Sequence, residues 1–143
     1  MLFKRISRSD AETAFIVVKN VSGSTMTAGY HCVFDVSTDA DGVRVTQCSS
    51  FDLQAYAGCV DADIANGGYG LVQVFGYRAA GYVCSSRIQN SGDNLGPTAD
   101  VWSLESSSIA ATTGFKAFAF ICETVASATE STSANKRIFI RAL

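Results

Sequence analysis

Residues Tyr69 to Tyr77 limit the fold more than any other stretch of the chain. Tyr69, Leu71, Gln73, Phe75 and Tyr77 fall on one parity, and Gly70, Val72, Val74 and Gly76 on the other. A strand sends alternate side chains to opposite faces. Here both faces are largely apolar, which predicts a central strand. Gly76 marks a bulge or bend, and Tyr82 to Ile88 continues the alternation.

Further strands follow from the same period of two. Phe15 to Lys19 is the first, closed by the turn cluster Asn20 to Ser24. In Tyr30 to Val36, Tyr30, Cys32, Phe34 and Val36 share one face, and His31, Val33 and Asp35 the other. Thr38 to Gly42 has hairpin-loop composition, and Val43 to Cys48 returns antiparallel to the strand before it. Phe115 to Cys122 and Ile138 to Ile140 complete the set. Asp61 to Asn66 is expected to form one short helical turn ended by Gly67 and Gly68. Ser91 to Pro97 reads as a loop, Val101 to Ala111 as ambiguous, and Ala126 to Asn135 as a Ser/Thr/Ala-rich loop. Seven or eight short strands with turn signals between them predict an all-β, single-domain β-sandwich or small β-barrel with at most short helical turns. The expected division is an N-terminal arm over 1–12 and one β-rich domain over 13–143.

Charge narrows the function. The formal net charge is −2, and no basic excess exists to neutralise phosphates, so nucleic acid is not an expected partner. Charged residues make up 17%, with 17 Ser and 11 Thr in their place. A free monomer usually carries more charge; a surface poor in charge suits contact with other protein, although an ordinary secreted β-domain has a similar composition. No run approaches the roughly 20 apolar residues of a membrane helix, and no apolar stretch of signal-peptide length follows Lys4, Arg5 and Arg8. The five cysteines, Cys32, Cys48, Cys59, Cys84 and Cys122, are odd in number and lack CxxC spacing. They read as core thiols in a reducing cytoplasm, with one disulfide plus three thiols as the open alternative.

Residues with catalytic potential are few. The single histidine, His31, lies mid-strand without a nucleophile motif around it. The pairs Asp39/Asp41 and Asp61/Asp63 sit in turns, where aspartate is at home. A weak calcium site at the first is conceivable chemically, but the loop is too short for an EF-hand. Ser106-Ser107-Ser108 lacks the strand–turn–helix setting of a nucleophile elbow. Gly67-Gly68-Tyr69-Gly70 leads into a strand without the lysine of a phosphate loop. The expectation is a non-enzyme without metal or cofactor.

The segment Asp63 to Gly76, with a short turn ending in glycine before a G-x-x-Q-V-x-G strand, resembles the head-decoration, or cement, proteins of tailed bacteriophages. A second strand and a loop with Gly92-Asp93 before Leu95 extend the resemblance over about residues 55–125; after Leu95 the sequence departs from the pattern. The resemblance implies a virion structural protein on the outer capsid surface, synthesised in the host cytoplasm. Its implied partners are the major capsid protein and further copies of itself, as a homotrimer or homodimer, with neither nucleic acid nor membrane. Candidate contact residues are Phe3, Lys4, Arg5 and Arg8 of the arm, Tyr69, and Arg137, Phe139 and Arg141, which share a face. The competing expectation is a carbohydrate- or receptor-binding β-domain of a spike or fibre, for which aromatic residues around Trp102 would supply stacking surfaces.

Overall fold

The computed structural model describes residues 12–38, 41–84, 88–106, 117–125 and 133–142. The alternating run from Tyr69 becomes one strand of 16 residues, Tyr69–Cys84, which absorbs the second segment expected from Tyr82. In chain order the strands are β1 (Ala14–Asn20), β2 (His31–Phe34), β3 (Arg44–Thr46), β4 (Tyr56–Val60), β5 (Tyr69–Cys84), β6 (Asn94–Pro97), β7 (Leu104–Ser106), β8 (Ala119–Ile121) and β9 (Ser133–Arg141). The all-β expectation holds: no helix occurs among the described residues. All nine strands join one sheet.

The length of β5 organises that sheet. Its first half lies between β1, antiparallel from Tyr69 to Phe75, and β4, paired at Val72 and Gln73. Its second half lies between β9, antiparallel from Phe75 to Cys84, and β7, parallel at Val83. The remaining pairings link β1, β3, β2 and β4 on one side and β7, β6, β8 and β9 on the other. Hydrogen bonding therefore closes into two circuits that share β5. The expected antiparallel partnership of β2 and β3 is present, with Val33 opposite Thr46 and Phe34 opposite Val45.

Each circuit encloses an apolar cluster. The first holds Val18, Met26, Cys32, Val45, Ala57, Val60, Ile64 and Val72. The second holds Val83, Leu95, Leu104, Ala119, Ile121, Val125, Ile138 and Ile140, joined by Tyr56 and Cys59 from β4. Full burial of one such aliphatic side chain is worth roughly 1.5–3 kcal/mol, so each cluster is a sizeable source of stability. At the handover between circuits Gly76 takes φ +105, and a side chain there would run into the backbone carbonyl of Glu12. Only glycine adopts such a conformation without strain.

Several local expectations change. Asp61 to Asn66 is not a helical turn. Ile64 bonds Met26 in both directions (2.9 and 3.0 Å), and Gly67 donates to the Asn20 carbonyl (2.7 Å). Those long-range bonds take the backbone groups a helix would need. Asn94–Pro97 is strand β6 rather than loop. Pro97 is tolerated at its end: the Leu95 carbonyl faces β8, accepting from Phe118 (3.0 Å), and two residues on the proline nitrogen points past the last residue β8 pairs with. Leu104–Ser106 resolves part of the ambiguous stretch as β7, and Ser133 to Asn135, expected as loop, opens β9 opposite Cys84, Val83 and Tyr82. The strand expected from Phe115 is described only from Ala119. Residues 107–116, 126–132 and the arm through Ala11 lie outside the described residues.

Candidate functional site

The side chains with catalytic potential are occupied with holding the fold. His31 is fully buried on β2, with Nδ1 2.7 Å from the Tyr56 hydroxyl and Nε2 unpartnered. Burial first, and the Arg78 charge second, push its pKa from 6.5 down to about 3, so the ring is neutral. Asp61 accepts from Arg78 (3.1 Å), whose guanidinium also donates to the Val60 carbonyl (2.8 Å). Asp63 accepts the Ala28 N–H (2.8 Å). Asp41 caps the N–H groups of Val43 and Arg44 (2.8 and 3.0 Å), which hold its carboxyl below the usual range. Asp39, Ser107 and Ser108 lie outside the described residues, and Ser106 is buried. Among the described residues no group of His, Cys, Asp and Glu could hold a metal ion. The Tyr56 hydroxyl beside His31 is buried with it, and the Ser37 hydroxyl that donates to Asp35 (2.7 Å) closes a local turn two residues on.

Trp102, the expected centre of a stacking surface, is half-buried. Its ring stacks on Tyr30 at 5.2 Å between centroids, and Tyr30 packs on Tyr82 at 5.3 Å. Both Trp102 and Tyr30 pack against the first apolar cluster, so these rings mainly serve the interior.

What the surface offers instead is apolar. In the first circuit, Phe15 (41% exposed) and Val17 (61%) on β1 stand beside Leu71 (44%) and Tyr69 (67%) on β5, with Val17 opposite Leu71. The register also sets Lys19 opposite Tyr69, and its ammonium lies 5.7 Å from the ring centroid. In the second circuit the Phe139 ring meets Phe75 edge-on at 5.3 Å and stacks on Phe120 at 5.1 Å. Tyr77 lies opposite Phe139, and Arg141 opposite Phe75, where its guanidinium donates to the Asn94 side-chain oxygen Oδ1 (2.8 Å).

The expected contact residues thus fall into three places. Phe139 and Arg141 come together in the second patch. Arg137 shares their parity on β9 but is tied to Glu123 at 2.9 Å. Tyr69 belongs to the first patch, at the opposite end of β5. Phe3, Lys4, Arg5 and Arg8 lie outside the described residues. Sequence reasoning missed Phe15, Val17, Leu71, Tyr77 and Phe120. Their alternation is plain, but an apolar parity looks the same whether another layer covers it or solvent does.

No disulfide joins any of the five cysteines, which removes the one-disulfide alternative. Cys32, Cys48 and Cys59 are buried; desolvation raises Cys32 well above its ordinary value and Cys48 and Cys59 to about 12.

No family model matches this chain, and no curated protein matches it. Among solved structures, the head fiber gp8.5 N base of bacteriophage phi29 is similar at a TM-score of 0.47, with 14% identity over 92% of this chain and 96% of that one.

Proposed function

We propose that this chain is a structural protein of a tailed-phage virion, and within that class a decoration or cement protein that seats on the major capsid protein at the outer surface of the shell. The observation that carries the reading is the exposed apolar patch Phe15–Val17–Tyr69–Leu71, with a second group in which exposed Tyr77 stands beside the half-buried rings of Phe75, Phe120 and Phe139, on a chain whose charged content is 17%. Exposed apolar groups in such clusters favour protein contacts, and the segment Asp63 to Gly76 supports the phage assignment by its resemblance. Copies of the chain joined to one another would bind a symmetric shell more tightly than any single contact, because each further contact is then intramolecular. The reading asks for no reaction and no cofactor.

The test is binding of the purified chain to shells of the phage that encodes it, stripped of this protein. Saturable uptake is expected, weakened by the double substitution Tyr77→Ser and Phe139→Ser. Shells that take up none of the wild-type chain contradict the proposal.

A further inference from the structure

The edge of β1 carries a second kind of information, in its backbone. Asn20 donates its N–H toward β5, to the Gly68 carbonyl (3.0 Å), whereas Lys19 donates the other way, to Val43 beside β3 (2.9 Å). Successive residues of a strand point their amide groups to alternate sides. Val17 and Phe15, of the same parity as Lys19, therefore turn N–H and C=O away from β5. β3 pairs with β1 only at Lys19 and Asn20. Along Ala14 to Val18 no strand among the described residues pairs with that side of β1.

Natural sheets guard an open edge with charge, proline or a bulge within the exposed stretch. Ala14-Phe15-Ile16-Val17-Val18 contains neither a charge nor a proline. The register shift against β5 lies at its start, between Ala14 and Phe15. Phe15 and Val17 flank the edge with exposed apolar side chains (41% and 61%). Among the described residues, the five from Ala14 to Val18 have no strand on this side; β3 bounds them at one end, and the register shift falls within them, directly after Ala14.

We infer that this edge is a self-association site, where β1 of a second copy of the chain pairs antiparallel about a two-fold axis through Ile16. The stretch is self-complementary in that arrangement. Ala14 faces the partner's Val18, and Phe15 faces the partner's Val17. Each of the two Phe15–Val17 pairs exchanges two N–H···O=C bonds, four in all. The axis uses the whole open window, and β3 of the partner prevents the pairing from running further. Phe15 and Val17 of both copies then meet on one face, so the apolar groups that make the edge a liability in a monomer become its cover. A two-fold contact of this kind is closed at two copies. The inference stands apart from the virion reading: the chain can pair in this way whatever shell it binds, and can bind a shell without pairing.

Sedimentation equilibrium over a wide dilution series tests it, with the wild-type chain, Val17→Pro and Val17→Lys. Proline removes the outward N–H without touching the β1–β5 ladder, and lysine adds charge at the apolar seam. The wild-type mass should rise from 15.1 kDa toward twice that value on concentration. Either variant should weaken the association about tenfold or more, since each change enters the symmetric contact twice. Phe51→Ser, at a side chain 98% exposed, should leave it unchanged. A wild-type chain that stays at 15.1 kDa throughout, an assembly larger than two, or a dimer unaffected by both variants overturns the inference. Should the variants fail to fold, amide exchange of the wild type decides. Protection at Phe15 and Val17 that falls on dilution supports the pairing, and exchange independent of concentration overturns it.

Discussion

His31 and Tyr56 form a buried polar pair between β2 and β4, Nδ1 to hydroxyl at 2.7 Å, at the seam of the two circuits. Cys59 and Tyr56 from β4 belong to the second apolar cluster, whereas Ala57 and Val60 belong to the first. The pair therefore sits where one strand serves both interiors.

Its removal has a measurable cost. Tyr56→Phe keeps the ring, including its stacking on Phe118 at 5.1 Å, and deletes the partner of a buried imidazole nitrogen. A loss of about 1–3 kcal/mol is expected in urea unfolding. An unchanged midpoint contradicts a role for the hydroxyl.

The same histidine makes stability depend on pH in a defined window. In the folded chain its pKa is about 3, against 6.5 in the unfolded one. Below pH 6.5 the unfolded state takes up a proton that the folded state refuses. The contribution is thus fully present above about 6.5 and declines toward pH 3, by at most about 1.4 kcal/mol per pH unit. No other histidine titrates there. His31→Gln should flatten the dependence of the urea midpoint between pH 6.5 and 5; an equal slope in wild type and variant counts against the assignment.

Gly76 tests how the two circuits are joined. Its φ of +105 and the nearness of the Glu12 carbonyl leave no room for a side chain. Gly76→Ala should destabilise by more than about 1 kcal/mol, with Gly92→Ala, at a positive φ but in open space, costing less. Equal losses at the two sites contradict the distinction.

The thiols should separate in reactivity. Cys84 and Cys122 are half-buried, whereas Cys32, Cys48 and Cys59 are buried, with the thiol held protonated by desolvation. The thiolate is the reacting form. Mass spectrometry after brief alkylation of the folded chain should find label at Cys84 and Cys122 first. Early label at Cys59 contradicts the described packing.

Alternation made β1, β2, β3 and β5 legible, because their runs are long or their turn signals clear. The short strands β4 and β7 were not: Tyr56–Val60 is buried on both faces and includes Gly58, and Leu104–Ser106 spans three residues. Gly92-Asp93 and Pro97 disguised β6, since the proline is read as a breaker until the end of β8 is known. Phe139 and Arg141 were visible as a pair on one parity. Their neighbours Phe75, Tyr77 and Phe120 come from other strands, and only register brings them together. Nor does sequence alone distinguish the outward parity of Phe15 and Val17 from a covered one.

The most direct test of the proposed role is quantitative mass spectrometry of virus particles purified from cells in which this chain is made. A capsid decoration protein should be present in many copies per particle, in fixed ratio to the major capsid protein. Particles that lack it, in cells where it is made, contradict the proposed role.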